Sequence, residues 1–462
     1  MNTKKIIAVL MSIVCMTTAC APAVPAKNAN GINELISQYR KDTGCKNVSA
    51  VVYDNGDISY YGNNESLYQI GSMTKAFTGL AVQKLMCDGY IREDGIISDY
   101  IPGFEAYFGS RKADITVNDL LEQKSGYTNN ENNYPSASED MTLSEWAAVI
   151  SGRELNSSPG TEYAYSNVNY NLLGLVIENV SGMTYRDYME NEILIPLGLR
   201  NTFAGMPENS EIAEGTRLGY RQVFDYPLPV REASVPAGYF YSNTQDMGRW
   251  IEIWIGSTEH PLKDAVTKVR AGLDADDYYS GWEHFPEDIT GHSGGTPNYS
   301  SRIVFSENRQ IGVCVLSSLN VASTTDGLCN GILDIVSGRT PGALPQDIWT
   351  IFDIIFTAVT ISGILILVFV LLIKHKTVII VLDAVLIILF ASVLILFPVI
   401  FGADIRAIVF TWAPLSLAGG LLTVAADIAA INIKLCLGKN HADHNKTSKG
   451  QTSYGHNRIP RV

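Results

Sequence analysis

Ser72-Met73-Thr74-Lys75 sets a hydroxyl and an amine three residues apart, just after Gly71. A serine hydroxyl is a poor nucleophile until a base takes its proton. Residues i and i+3 share one face of a helix, so this spacing brings the Lys75 amine beside the Ser72 oxygen. Phe77, Leu80, Ala81 and Leu85 recur at helical spacing and Gly89 can end the run, which predicts that helix. Ser72 then stands near a helix start, where unpaired N–H groups favour a developing negative charge.

Two later clusters carry complementary chemistry. Tyr165-Ser166-Asn167 offers a phenol and an amide from one turn. A phenolate held near an ammonium has a lowered pKa and can accept the serine proton. His292-Ser293-Gly294-Gly295-Thr296-Pro297 stands directly before a strand pattern. A glycine pair at a strand edge lets a substrate backbone approach and leaves N–H groups free to hold an oxyanion. Taken singly, each cluster has an ordinary alternative: a solvated lysine near a helix start, a core tyrosine, a tight turn with an exposed histidine.

The elements that must position these groups follow from periodicity and turn chemistry. Ala50–Tyr53 and Ile58–Tyr61 flank Asp54-Asn55-Gly56-Asp57, a hairpin signal because Asn-Gly suits a tight turn with positive φ. Arg302–Phe305 and Gly312–Leu316 flank Glu307-Asn308-Arg309 as a second hairpin. Helical patterns fill the middle, for instance Asn169–Val180 and Asp246–Trp254. Strands at both ends with helices between predict an α+β domain, one antiparallel sheet covered by helices, over residues 27–340.

The rest of the chain has a different composition. The whole is 46% hydrophobic and 18% charged with a net charge of −13, yet from residue 350 onward nine Lys/Arg face five Asp. The acidic globular part therefore argues against a nucleic-acid partner, which needs basic surface. Lys4 and Lys5, the apolar Ile6–Val14 and the small residues up to Ala26 read as an export signal over 1–26. Lipid attachment at Cys20 and an uncleaved anchor are the alternatives. After a linker at 341–352 come three apolar spans, 353–373, 377–401 and 407–433, each near the ~20 residues needed to cross a bilayer. Lys374-His375-Lys376 joins the first two, and the tail at 434–462 is basic. The positive-inside rule puts that turn and the tail in the cytoplasm and the globular domain outside the cell membrane. Asp383 and Asp427 are costly in hydrocarbon and are expected to pair or reach the headgroups, Asp427 lying on roughly the face of Lys434. Cys45, Cys87, Cys314 and Cys329 show no metal spacing, and Cys87 and Cys314 are expected to be buried as small apolar side chains.

The three clusters, in this order and at these separations, resemble the serine hydrolases of the class C β-lactamase and penicillin-binding-protein family, with their S-x-x-K, Y-x-N and K-T-G or H-x-G motifs. Ile115-Thr116-Val117-Asn118-Asp119-Leu120-Leu121 up to Ser125-Gly126, Leu172-Leu173-Gly174, Pro196-Leu197-Gly198-Leu199 and Pro236-Ala237-Gly238 with Ser242 resemble further marks of that family, so the likeness spans roughly residues 45–320. The resemblance implies Ser72 as acylated nucleophile, Lys75 and Tyr165 sharing acid/base duty, and Asn167 orienting Lys75 and the substrate amide. It implies His292 where a lysine opens K-T-G, an oxyanion hole from the N–H groups of Ser72 and Gly295 beside Gly294, and no metal or cofactor. A neutral imidazole at 292 is a weaker anion clamp than lysine, which predicts poor β-lactam turnover and a preference for an amide or ester. The implied activity is that of a membrane-anchored, outward-facing serine peptidase or esterase acting on a D-amino-acid-containing peptide. Alternatives are removal of an N-acyl-D-asparagine leader from a secreted metabolite, or a β-lactam sensor or true β-lactamase. Oligomeric state is left open.

Overall fold

In the computed structural model, which describes residues 29–208 and 210–451, the first hairpin turns on Asn55 and Gly56, both at positive φ (51° and 97°). They close strand β1 (Val48–Asp54) onto β2 (Asp57–Tyr61) with Asp54 opposite Asp57. The second expected hairpin joins β6 (Tyr299–Ser306) to β7 (Ile311–Ser317), with Ser306 opposite Ile311. With β3 (Tyr278–Tyr279), β4 (Trp282–Phe285) and β5 (Ile289–Thr296) these strands form one antiparallel sheet in the order β3-β4-β5-β6-β7-β1-β2. The first and last strand pairs of the domain thus meet at β1 and β7, where Val48 lies opposite Ser317.

Both faces of this sheet are covered, so its central strands are apolar runs rather than alternating patterns. Ala50, Val52, Val304, Val313 and Val315 pack under helices α1 (Ala29–Thr43) and α5 (Ala322–Val336), with Leu35, Tyr39, Leu328 and Ile332. Val51, Ile303, Cys314 and Leu316 point to the opposite face. There they meet the larger core, built on α2 (Thr74–Cys87), α3 (Asn167–Ser181) and α4 (Thr244–Ile255). This two-sided distribution follows from the period of two along a strand. Fully burying one such side chain contributes about 1.5–3 kcal/mol.

The helix after Ser72 departs from an amphipathic pattern. Every residue of α2 from Thr74 to Gln83 is buried. Its polar members are satisfied internally: Thr78 donates to the Pro236 carbonyl at 2.7 Å, and Gln83 donates to Tyr279 and Ser280. Phe77 stacks on Trp250 at 4.1 Å between ring centroids, locking α2 to α4. Cys45, Cys314 and Cys329 are buried free thiols. Cys87 is exposed, against expectation, because it ends α2 on the solvent side.

Among the described residues, three helices are long and apolar enough to cross a membrane: α6 (Ile348–Leu372), α7 (Lys376–Phe401) and the Leu415–Leu437 part of α8 (Leu415–Gln451). The first begins inside the expected linker, capped by Asp347, whose side chain accepts from the Trp349 N–H. The third begins at Leu415 rather than 407. Asp404 caps a short helix, Ile405–Ala407, which runs into a wide helical turn, Ile408–Trp412, before Pro414 restarts the chain. Lys434 does not pair with Asp427. It caps α6 instead, donating to the carbonyls of Leu371 (3.1 Å) and Ile373 (2.7 Å). Among the described residues, both Asp427 carboxylate oxygens are buried without a hydrogen bond, and Asp383 accepts from Asn432 at 3.2 Å. The expected signal segment, with Cys15 and Cys20, and residues 452–462 of the tail lie outside the described residues.

Candidate active site

Ser72 sits in a tight turn, Gly71–Met73, that leads into α2. Lys75, one turn on, is completely buried. Its Nζ lies 3.0 Å from Ser72 Oγ, 2.8 Å from Asn167 Oδ1 and 2.7 Å from the Ala237 carbonyl oxygen. No carboxylate among the described residues stands beside it, and burial holds its pKa well below the usual lysine range. A neutral amine has two N–H groups and one lone pair. Once the amine has lost its proton, these N–H groups match Asn167 Oδ1 and the Ala237 carbonyl, and the lone pair can receive the Ser72 proton.

Tyr165 covers this amine with its ring face, the Lys75 Nζ lying 4.8 Å from the ring centroid. Its hydroxyl is buried and faces Ser72. The expected phenolate is overturned: burial drives the phenol pKa up, with only the Ser72 hydroxyl opposing it. Tyr165 is thus a neutral proton donor at neutral pH. Ser166 starts α3 by accepting from the Val168 N–H, which fixes Asn167 in the first turn. The Asn167 N–H is held by Asn129 at 2.8 Å.

His292 is the largest departure from expectation. It is buried on β5 behind Tyr165, with ring centroids 6.1 Å apart, and does not line the cleft. Nδ1–H donates to the Ser293 carbonyl at 2.6 Å, so Nε2 is the acceptor and faces the Tyr278 hydroxyl at 3.5 Å. Burial, then the nearby Lys75, lowers its pKa to about 3. The 3.8 Å approach to Glu283 is therefore not an ion pair at neutral pH. His292 is a neutral packing group, not a clamp on a substrate anion.

The sign of that shift gives a stability prediction. The unfolded chain protonates His292 below about pH 6.5, while the folded chain keeps it neutral down to about 3. The histidine therefore costs nothing above pH 6.5 and loses stability as pH falls from there toward 3, on the order of 4–5 kcal/mol in all. The variant His292→Gln is expected to flatten the acid limb of denaturant unfolding across that interval. An unchanged acid limb counts against the buried neutral assignment.

The two glycines of β5 divide their work. A Cβ on Gly294 would come within 2.1 Å of the Ile70 carbonyl oxygen, so this residue serves close packing. Gly295 faces open space and lines the cleft. β4 ends its pairing at Gly291, which leaves the edge of β5 from Ser293 to Thr296 without a partner on that side. A Cβ on Gly71 would lie 2.5 Å from the Gly295 nitrogen, so the Ser72 turn rests directly against this edge.

The cleft is a cavity of about 490 Å³, within the usual range for small-molecule sites. Ser72, Tyr165, Asn167 and Gly295 line it. So do residues that sequence reasoning did not single out. Arg231 is one, and among the described residues its guanidinium has no hydrogen bond or ion pair. The Ala237 carbonyl is another: Pro236-Ala237-Gly238 is legible as a motif, but its backbone role is not. Phe401, Ala403, Thr411 and Trp412, from the end of α7 and the turn before α8, complete the wall.

Comparison with known proteins fits this arrangement. A family model described as beta-lactamase matches residues 32–331. The chain belongs to the beta-lactamase family. Among curated relatives, Protein flp of Staphylococcus aureus (strain MRSA252) is 30% identical over 281 residues, covering 58% of this chain and 56% of that one. The chain thus spans about half the length of such relatives. A putative D-alanyl-D-alanine carboxypeptidase of Escherichia coli K12 is 34% identical over 146 residues, 30% of this chain and 33% of that protein. Two solved structures share the fold. The octameric penicillin-binding protein homologue from Pyrococcus abyssi has a TM-score of 0.59 at 21% identity, covering 68% of this chain and 78% of its own. A class C beta-lactamase from Rhodobacter sphaeroides has 0.57 at 16% identity, covering 67% and 99%. As a member of this beta-lactamase family the chain has the β-lactamase/transpeptidase fold.

Proposed function

We propose that this β-lactamase-family hydrolase cleaves an amide or ester of a D-amino-acid-containing substrate through an acyl-enzyme on Ser72, working on the outer side of the membrane its three apolar helices cross. The observation that carries the reading is the buried Lys75 amine, its pKa pushed down by burial, held between Asn167 and the Ala237 carbonyl and 3.0 Å from Ser72 Oγ. Lys75 takes the Ser72 proton as the oxygen attacks the carbonyl. The N–H groups of Ser72 and Gly295 stabilise the oxyanion, the term that is usually largest in acyl transfer. Tyr165, kept protonated by burial, delivers a proton to the leaving group and is re-supplied through Lys75. Water then hydrolyses the acyl-enzyme by the same steps in reverse.

The free Arg231 supports a substrate with a carboxylate, the role that a cation on β5 would otherwise fill. Replacing it in the variant Arg231→Gln is expected to raise KM for a D-Ala-D-Ala peptide about 10- to 100-fold with kcat little changed, as removal of a charge-assisted hydrogen bond worth ~1.5–3 kcal/mol requires. The matching peptide amide should lose its disadvantage in the variant. Equal KM changes for acid and amide would remove Arg231 from the substrate site.

The reaction is tested by labelling the full-length protein with a fluorophosphonate and mapping the modified peptide by mass spectrometry, then assaying D-Ala-D-Ala peptides, N-acyl-D-Asn amides, simple esters and penicillin. Modification at Ser72 with faster turnover of peptides or esters than of penicillin is expected. Modification at another serine, or penicillin as the best substrate, overturns the reading.

A further inference from the structure

The membrane helices do more than hold the hydrolase domain near a bilayer, because the chain between α7 and α8 forms part of the catalytic cleft. Phe401, Ala403, Thr411 and Trp412 line the same cavity as Ser72, Gly295 and Tyr239. That placement is enforced from the hydrolase side. A hairpin of strands Thr216–Gly219 and Gln222–Asp225 projects toward the helices. Its Arg217, 5% exposed, donates through Nε to the Ala413 carbonyl (2.6 Å), through Nη1 to Phe410 (2.8 Å) and through Nη2 to Val409 (2.7 Å). These are carbonyls at the end of the Ile408–Trp412 turn, left free where Pro414 interrupts the helical ladder, and a cation there also meets the negative end of the peptide dipoles. Tyr226 adds a hydrogen bond to the Phe410 carbonyl (2.9 Å) and stacks on the guanidinium.

Further ties fix the same junction. Asp353 of α6, 1% exposed, accepts from the Arg221 N–H and from Ser416, both at 2.7 Å. The Glu131 N–H donates to the Gly402 carbonyl at 3.0 Å, which joins the other rim of the cleft to the end of α7. Burying an Arg and an Asp at a junction is costly unless every polar group is satisfied, and here Arg217 spends its donors on backbone carbonyls of one turn. The arrangement sets the position of the Trp412 ring relative to Ser72.

We propose that the Phe401–Trp412 turn is a specificity wall of the active site: it receives an apolar substituent of the substrate, and Arg217 is the positioning residue that holds it. This rests on the acyl-transfer reading above. Leu228, Pro229 and Arg231 line the same cavity, so its surface offers further apolar groups together with a cation. The substrate class that fits is an amide or ester with an alkyl or aromatic group beyond the scissile bond, in addition to the carboxylate met by Arg231.

The test uses full-length protein in detergent and in lipid nanodiscs, with p-nitrophenyl esters from acetyl to octanoyl. The readout is the ratio of kcat/KM for octanoyl to that for acetyl ester. The variant Trp412→Ala is expected to lower this ratio at least 10-fold, a size consistent with losing a few methylene contacts in a hydrophobic pocket, mainly through KM. Trp412→Phe should recover most of it. Arg217→Leu should lower the ratio as Trp412→Ala does, with Arg217→Lys in between, while fluorophosphonate labelling of Ser72 reports an assembled site. A wild-type ratio in Trp412→Ala, with Ser72-dependent hydrolysis intact, overturns the wall. An absence of Ser72-dependent ester hydrolysis in wild type overturns the underlying reaction instead.

Discussion

The variants Ser72→Ala and Lys75→Met are each expected to lower kcat/KM by roughly 10⁴-fold or more, and the double variant to be little worse than either alone, because nucleophile and base act as one unit. Among the described residues His292 does not stand in for Lys75: it is buried behind Tyr165 with its Nδ1–H committed to the Ser293 carbonyl. The Tyr165 phenol is held protonated by burial. Methionine retains much of the lysine stem volume, so Lys75→Met should fold. The variant Lys75→Arg should be as inactive as methionine, since a guanidinium stays charged and cannot take the serine proton.

The pH profile follows from the same depressed amine. The base form grows as pH rises through the folded pKa of Lys75. Wild-type kcat/KM should therefore climb tenfold per pH unit below that pKa and level off above it. For stability the unfolded chain binds the proton up to about pH 10.4. The buried amine then costs stability below that value, and the cost diminishes as pH rises. Lys75→Met should remove both dependences. Retention of the kinetic acid limb in a residually active variant would assign it to another group.

A nearly silent-looking change should be almost as damaging. The variant Gly71→Ala is expected to lower kcat about 10²- to 10³-fold with little change in KM, the loss seen when one oxyanion donor is misplaced. Gly71 has φ +52°, and an added methyl would stand 2.5 Å from the Gly295 nitrogen and 2.9 Å from the Gly294 carbonyl carbon. All of those atoms are backbone, and β5 is held by its register with β6, so the turn must give way. Movement of either element separates the two N–H groups that would share the oxyanion. Single-turnover acylation measured against equilibrium unfolding separates this from simple destabilisation: a wild-type acylation rate would place the oxyanion elsewhere.

The residues differ in how far sequence alone could reveal them. Asn55-Gly56 is legible because positive φ at two successive positions is local chemistry, and the hairpin register follows from it. The α+β architecture is legible because both ends of the domain carry strand patterns. The helix after Ser72 is legible in position but not in environment: it is buried on all sides, so the apolar stripe at Phe77, Leu80, Ala81 and Leu85 describes only part of its contact surface. His292 was misplaced because a motif gives spacing along a strand, not which side chain the pleat turns toward the cleft. Pro414 is a local signal that the third span starts late. Arg217 and Arg231 carried no signal, since what distinguishes them is which distant carbonyls they meet, or that they meet no carboxylate at all.

The pairing of β1 with β7 has a consequence for how the chain is made. Val48 must find Ser317 before the sheet closes, so the hydrolase domain depends on contacts between its two ends. Contacts so distant along the chain slow folding, because the loop entropy is lost before the contact forms. The amino-terminal hairpin can form early, but it presents the unpaired β1 edge until the last strand arrives. That last strand is followed, after α5, by the first apolar helix. Synthesis thus delivers the closing strand and the first apolar helix almost together. Completion of the fold and seating of Trp412 in the cleft belong to one late stage of assembly, during which the waiting edge is the segment most in need of protection from mispairing.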